Sequence, residues 1–459
     1  MIKMSNHDSD KRIYTLSSEK PSKAVVKMGV PLIAGMLIMV LYNLVDTYFI
    51  GLTKDDYQLA AVGLAYPVMM VMIAIANMVG TGASSLIARC LGAGDKEKAR
   101  HTLTAGFVLT VIYSVLVATL GLLFLSAIVK GLGAKDNTFA YTEQYVRILL
   151  IGSIFTMGNY SFGQFLRSEG SVTYSIVGMI VGTVVNIILD PLLIFTFGLQ
   201  IRGAAIATVI GNGAGMAVSL LFYMRGKTLL TPSRKYIVPK KQILGEIYWV
   251  GIPASLETLL SSAAYIINNN LAVGYGELTV AAMGIAQKLL SLGNYIYQGF
   301  AAGTQPLMGY NYGAGNYPRM KAILRSGVMI VTGTELCLML IYGAFAPFFI
   351  GWFSESEEVI RIGARVLRNI MFILPFVGTV SMCRMSFQAM GKPIYAFCIT
   401  LVRQLIFYIP LLLILDKLFG FGGMIKAQPI TEAVMITVSL LLLYRFITTK
   451  EREDVSKDR

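Results

Sequence analysis

Five acidic residues lie well inside long apolar stretches of the sequence, where a charge finds no water: Asp46, Asp190, Glu257, Glu335 and Glu432. If those stretches cross a bilayer, each such acid costs about 2.5–3.5 kcal/mol even on the lenient insertion scale, so each calls for a reason. Two of them show a pattern. Asp46 lies three residues from Asn43 and four from Tyr42, and Asp190 lies four from Asn186, so on a helix each set forms one stripe. Two carboxylates, an amide and the hydroxyl of Thr208 at similar depth would hold one sodium ion through oxygen ligands. They would equally share a proton, because low dielectric and repulsion between two carboxylates favour the protonated form. The competing use is structural, as hydrogen-bonding groups too far apart to couple. Glu257 follows Pro253 by four residues and is either an accessory coupling group or a helix-packing residue. Glu335 and Glu432 read as acids paired with a polar neighbour or facing water.

The elements that must position these groups are membrane spans. Of 459 residues, 55% are hydrophobic and 14% charged, against about 25% charged in soluble domains. A bilayer core of about 30 Å needs about 20 apolar helical residues. Runs of that kind occur at 24–50, 58–88, 103–129, 142–166, 172–197, 201–224, 243–274, 278–308, 320–350, 359–389, 394–418 and 424–447, twelve in all. The net charge of +14 would suit nucleic acid only on a soluble basic domain, and no such domain remains. The cations instead fall on alternate connections: Lys3 to Lys27, Arg89 to Arg100, Arg225 to Lys241 and Arg445 to Arg459. By the positive-inside bias these segments are cytoplasmic, and two cytoplasmic termini demand an even number of spans. The first apolar run is too long for a signal-peptide core and has no evident cleavage site, so it is expected to stay as an anchor.

The chain also matches itself. Leu59 to Ala65 (LAAVGLA) resembles Val280 to Ala286 (VAAMGIA), Gly92-Ala93-Gly94 matches Gly313-Ala314-Gly315, Gly170 matches Gly391 and Tyr174 matches Tyr395, all 221 residues apart. Gly29-Val30-Pro31 answers Gly251-Ile252-Pro253, one residue out of phase. Each repeat holds six spans, so the halves have parallel topology about a pseudo-two-fold axis along the membrane normal. The expected domains are a tail at 1–23, a six-helix bundle at 24–224, a basic cytoplasmic linker at 225–242, a second six-helix bundle at 243–447 and a tail at 448–459. Two like bundles on either side of a central cavity suit alternating access, in which one rocks against the other.

Other residues allow two uses. Pro31 removes a backbone hydrogen bond inside the first span and serves either as a hinge or as a fixed bend. Methionines such as Met39 and Met69 suit a soft ligand-binding wall or ordinary core packing; with Tyr42, Asn43, Tyr145 and Asn159 they are the candidate cavity lining. Cys90, Cys337, Cys383 and Cys398 lack metal-ligand spacing and read as small apolar packing residues. His7 and His101 lie at a terminus or a loop edge.

The run PLIAGMLIMVLYNLVDTYFIG (31–51), with LAAVGLAYP (59–67), GTGASSLIARCLGAGD (80–95) and NIILDPLLIFTFGLQIRGAAIATVIG (186–211), strongly resembles the MATE multidrug and toxic compound extrusion transporters, most of all their bacterial MepA-like and DinF-like branches. The resemblance covers essentially the whole chain. It implies an all-α membrane protein, a V-shaped fold of two six-helix bundles, and antiport of substrate against H+ or Na+. In relatives with an N-terminal-bundle cation site, the groups align with Asp46, Asn186, Asp190 and Thr208, and the first-span proline tied to bending aligns with Pro31. Family substrates are commonly amphipathic organic cations, which carboxylates and aromatic faces would suit. The NorM-like branch carries a further acid in the tenth span, and here Arg361 to Gly391 has neither Asp nor Glu, which argues against a second cation site built on Glu257.

The expected function is therefore cation-coupled export of small-molecule drugs or toxic metabolites across the cell's cytoplasmic membrane by a protein, expected to be monomeric, with no cofactor beyond the coupling ion, no metal beyond a sodium ion at that site, and no nucleic-acid partner. A flippase for lipid-linked saccharides is the nearest rival; it would need cations for a pyrophosphate, and Lys288 and Arg403 are the candidates. An integral membrane enzyme would need a catalytic constellation, and the sequence has no HExxH or GxSxG. A scaffold or receptor role would leave the buried acids without a use.

Overall fold

Each of the twelve apolar runs falls on a helix or a pair of helices. The computed structural model describes residues 6–52 and 55–457; side chains are outside the description at 6–9, 41–48, 51, 56, 136, 262–263, 265–266, 269–270, 272–273, 277, 280 and 454–457. A short amphipathic helix α1 (Asn6–Ser17) precedes the first span. The spans of the first repeat are α2 (Pro21–Gly51), α3 (Asp56–Gly92), α4 (Lys96–Leu123) with the short α5 (Leu125–Gly131), α6 (Asp136–Ile151) with α7 (Ser153–Ser168), α8 (Val172–Pro191) and α9 (Ile201–Met224). The second repeat has α10 (Lys241–Val273), α11 (Glu277–Gly313), α12 (Tyr317–Ala344) with α13 (Ala346–Gly351), α14 (Glu357–Met371) with α15 (Leu374–Ala389), α16 (Pro393–Leu401) with α17 (Ile409–Phe419), and α18 (Phe421–Lys457). No strand occurs among the described residues. Two wider π turns interrupt the regular winding, at Leu192–Thr196 after α8 and at Val402–Tyr408 between α16 and α17.

By length and apolarity, nine helices among the described residues qualify as spans, or ten when α14 and α15, bent by 42°, count as one. The two remaining runs have physical reasons for falling short. Gly152 interrupts the winding between α6 and α7, and α11 carries Gln287, Asn294, Gln298 and Thr304, which lower its hydropathy.

The repeat reappears in the backbone. Gly94 and Gly315 have φ of 77° and 68°, and Gly170 and Gly391 have 78° and 69°. Each follows a helix C-terminus in the left-handed region, where a Cβ would be strained, so glycine at these paired positions is a conformational requirement. Immediately after the first pair, Asp95 and Asn316 both act as N-caps, their side chains accepting the Lys98 and Arg319 N–H groups at 2.9 and 3.1 Å.

The chain divides into two compact units, and their boundaries differ from those read off the spans. Unit 1 comprises Met1–Thr15 and Ala34–Ser255, and unit 2 comprises Leu16–Ile33 and Leu256–Arg459. The divisions cut through α2 and α10, each two residues beyond the paired prolines Pro31 and Pro253. Glycines explain why the first halves of these helices pack where they do. In unit 2, a carbon added to Gly303 would lie 2.7 Å from the Gly29 nitrogen, and one added to Gly299 would lie 2.4 Å from the Ile33 side chain. In unit 1, a carbon added to Gly251 would lie 2.0 Å from the Met78 carbonyl oxygen, and one on Gly82 would lie 2.2 Å from that of Ile247. The missing side chains thus let α2 lie against α11, and α10 against α3, at backbone contact.

The basic linker is also part of unit 1. Arg100 donates to the Thr231 hydroxyl at 2.9 Å, and the Tyr236 hydroxyl donates to Glu97 at 2.7 Å. Arg12 of α1 donates to the Ser171 hydroxyl at 2.6 Å and the Lys227 carbonyl at 2.9 Å, and its guanidinium lies 4.7 Å from the Tyr174 ring centre. Beside it, the buried Glu169 accepts the Leu230 N–H at 2.9 Å, and burial pushes this carboxyl up to about 8.

Candidate functional site

In unit 1 the site residues sit where α8 meets α9. Gly178 and Gly182 on α8, four apart, face Gly215 and Gly211 on α9, also four apart. A carbon added to Gly182 would lie 2.8 Å from the Gly211 oxygen, and one added to Gly215 would lie 2.8 Å from the Gly178 oxygen. Such small-residue stripes bring two helix backbones together. The pairings run in opposite senses along the chain, so the helices are antiparallel.

One turn beyond Gly182, the Cβ of Asn186 would be 2.8 Å from a carbon added to Gly211. One turn back along α9 from Gly211, Thr208 therefore stands at the level of the turn between Asn186 and Asp190. All three are buried, Asp190 completely. Neither amide atom of Asn186 has a hydrogen-bond partner among the described residues. On this register Asn186, Asp190 and Thr208, a carboxamide, a carboxylate and a hydroxyl, lie at the same level of the α8–α9 pair, each shielded from water. Asp46, together with Tyr42 and Asn43, falls on α2 among the residues whose side chains lie outside the description.

Sequence reasoning missed Asn212. Its amide donates to the Thr208 carbonyl at 2.9 Å, and its side-chain oxygen accepts from Asn159 at 3.1 Å. Asn159, a candidate lining residue, is thereby tied through Asn212 to the turn that carries Thr208. The signal was present in the four-residue spacing from Thr208 to Asn212. A second polar cluster was also missed: Thr81 donates to Asn77 at 2.6 Å and to Gln164 at 3.1 Å, and Gln164 donates to Asn77 at 3.2 Å, joining α3 to α7. Of the other expected lining residues, Met39 is half-buried, and half-buried Met69 packs against the core that includes Ile50 and Ala61. Tyr145, expected on a cavity wall, is buried inside that same apolar core.

In unit 2 two of the buried acids, Glu257 and Glu432, have arginine partners. Glu257 receives Arg384 at 2.5 Å and Gln388 at 2.9 Å, both from α15. Glu432 receives Arg403 at 2.8 Å, the arginine standing in the π turn before α17. An acid held by a guanidinium already has its counter-charge, so Glu257 and Glu432 are placed as ion-pair members.

Chemically, the α8–α9 cluster offers oxygen ligands and one buried carboxylate. Hard cations take ligands of this kind, and a buried carboxylate otherwise takes a proton.

These features define a multi-pass helical membrane protein made of two related halves, with a polar cluster buried in the first. The MatE family model matches residues 31–192 and again 253–414, the second match beginning and ending 222 residues after the first, and the chain belongs to that family. It is 28% identical over 435 residues to the multidrug export protein MepA of Staphylococcus aureus, covering 95% of this chain and 96% of that protein. Among solved structures, it is similar to an outward-facing conformation of a multidrug resistance MATE family transporter of the MOP superfamily, with TM-score 0.91, 28% identity, and 96% and 99% of the two chains covered. It is also similar to a MOP superfamily transporter from Pyrococcus furiosus described as having a binding pocket of reverse polarity, with TM-score 0.90, 29% identity and the same coverage. The all-α fold of twelve helices in two six-helix bundles, expected from the sequence, is the fold of these MATE structures.

Proposed function

We propose that this protein is a multidrug exporter, and not an enzyme, that exchanges amphipathic, often cationic organic compounds for H+ or Na+ by alternating access. The observation that carries the coupling half of this reading is the water-shielded cluster of Asn186, Asp190 and Thr208 on the glycine-packed α8–α9 pair. Asp46 completes the cation site in this reading. Binding of a proton or sodium ion neutralises the carboxylates and favours one access state; substrate binds the other, and the exchange follows. The inward ion gradient drives it, its electrical part worth about 2.3 kcal/mol per charge per 100 mV. Relatives named for multidrug export support the substrate half. The protein is placed in the cytoplasmic membrane with both termini inside, acting as a monomer. A flippase reading would call on Lys288 and Arg403 to hold a pyrophosphate, and of these Arg403 is ion-paired with Glu432.

The test is ethidium efflux from energised vesicles under a sodium gradient or a pH gradient imposed separately, for wild type, Asp46→Asn and Asp190→Asn. Efflux driven by one gradient and lost in both variants is expected. Coupled efflux that persists in both would overturn the site, and no efflux of any cationic dye from folded protein would overturn the exporter reading.

A further inference from the structure

Among the described residues, three buried acids lie in the helices of unit 2, and their surroundings differ. Glu257 and Glu432 each meet an arginine. Glu335, on α12, meets none: it has no exposed surface, and neither carboxyl oxygen has a side-chain hydrogen-bond partner among the described residues. The space it occupies is made by a glycine. A carbon added to Gly293 of α11 would lie 3.1 Å from Glu335 Oε2 and 2.7 Å from a Leu374 methyl of α15. The carboxyl therefore sits at the junction of α11, α12 and α15, against apolar groups.

Among the described residues, the charged and titratable groups around this junction offer no counter-ion. Tyr297 on α11 and Tyr342 on α12 are buried phenols. On α14, Arg368 donates to the Gly343 carbonyl, two turns along α12 from Glu335. On α15, Arg384 holds Glu257, and on α18, Glu432 is held by Arg403. A carboxylate shut off from bulk water, with no cation beside it and only the Tyr297 backbone N–H to meet it, is disfavoured, and adding a proton removes the charge.

We propose that Glu335 is a proton-binding site of the second bundle, separate from the α8–α9 cluster. It holds its proton at neutral pH while the junction is closed, and loss of that proton drives α11, α12 and α15 apart to admit water. This inference stands on unit 2 alone and does not depend on the export reading.

The test uses the full-length protein in liposomes and compares infrared spectra of wild type and Glu335→Gln. At neutral pH, wild type is expected to show the carbonyl band of one protonated carboxyl that the variant lacks, while Asp190→Asn retains that band. A wild-type-minus-variant band that appears only at acidic pH would show an ionised Glu335 and overturn the proposal. Hydrogen exchange read by mass spectrometry adds the second readout. Peptides from α11, α12 and α15 should exchange faster at alkaline pH in wild type and not in the variant; equal exchange in both would remove the opening step. If Glu335→Gln does not fold, Glu335→Met supports the same subtraction.

Discussion

Replacing Gly211 by alanine puts a carbon 2.7 Å from the Gly182 carbonyl oxygen and 2.8 Å from the Asn186 Cβ, both on α8. Ordinary carbon contacts lie at about 3.5–4.0 Å, so α8 and α9 must separate by about 1 Å, since neither obstacle is a flexible side-chain end. Overpacking of this kind costs about 1–3 kcal/mol, and alanine's better helix propensity returns about 1 kcal/mol. The net loss of stability is therefore small, about 0–2 kcal/mol. The effect on function should be larger, because the same movement draws Asn186 and Asp190 away from Thr208, and oxygen ligands to a small cation tolerate little displacement. In gradient-driven ethidium efflux, Gly211→Ala is expected to need a steeper ion gradient than wild type for the same rate while melting within a few degrees of it. Gly213→Ala, on the same helix, is the control: the nearest atoms to its added carbon belong to the Phe155 ring, at 3.3 Å or more. Unchanged ion dependence in Gly211→Ala would refute the claim that close glycine packing positions the site.

Two further predictions concern buried acids elsewhere. Arg384→Ala leaves Glu257 buried without its cation; breaking a buried pair costs about 3–5 kcal/mol, and the partial exposure of Arg384 places the loss at the lower end. Thermal melting should show that loss, and adding Glu257→Gln in the same protein should recover most of it; an unaltered melting temperature in Arg384→Ala would show that the pair does not stabilise the bundle. Glu169, in the loop between α7 and α8, keeps its proton to about pH 8 in the folded chain against an ordinary value of 4.5. The stabilisation it gives is complete below the unfolded value and is lost as pH rises towards 8, by at most about 1.4 kcal/mol per pH unit. The melting temperature of wild type should fall across that window more than that of Glu169→Gln, and parallel profiles would contradict the assignment.

How much was legible beforehand divides along physical lines. The number and order of the spans, the all-helical class and the repeat could be read directly, because transfer of a residue into a bilayer depends mainly on that residue and its close neighbours. The paired glycines Gly94 with Gly315 and Gly170 with Gly391 were visible as sequence matches, and their positive φ angles give the reason glycine stands there. Asn186 and Asp190 were legible as one stripe because four-residue spacing is a local property of a helix. Partners distant in the chain were not. Glu257 finds Arg384, 127 positions further along the chain, and nothing in either residue's neighbourhood announces it. The same holds for Gly211 against Asn186, for Asn212 as the tie between Thr208 and Asn159, and for the placing of the first halves of α2 and α10 against α11 and α3. Hydropathy and spacing determine which segments become helices and which face of each is polar. Which faces meet is decided by the fit of whole helix surfaces, where the absence of one Cβ lets two backbones touch and brings one buried acid, and not another, to its arginine.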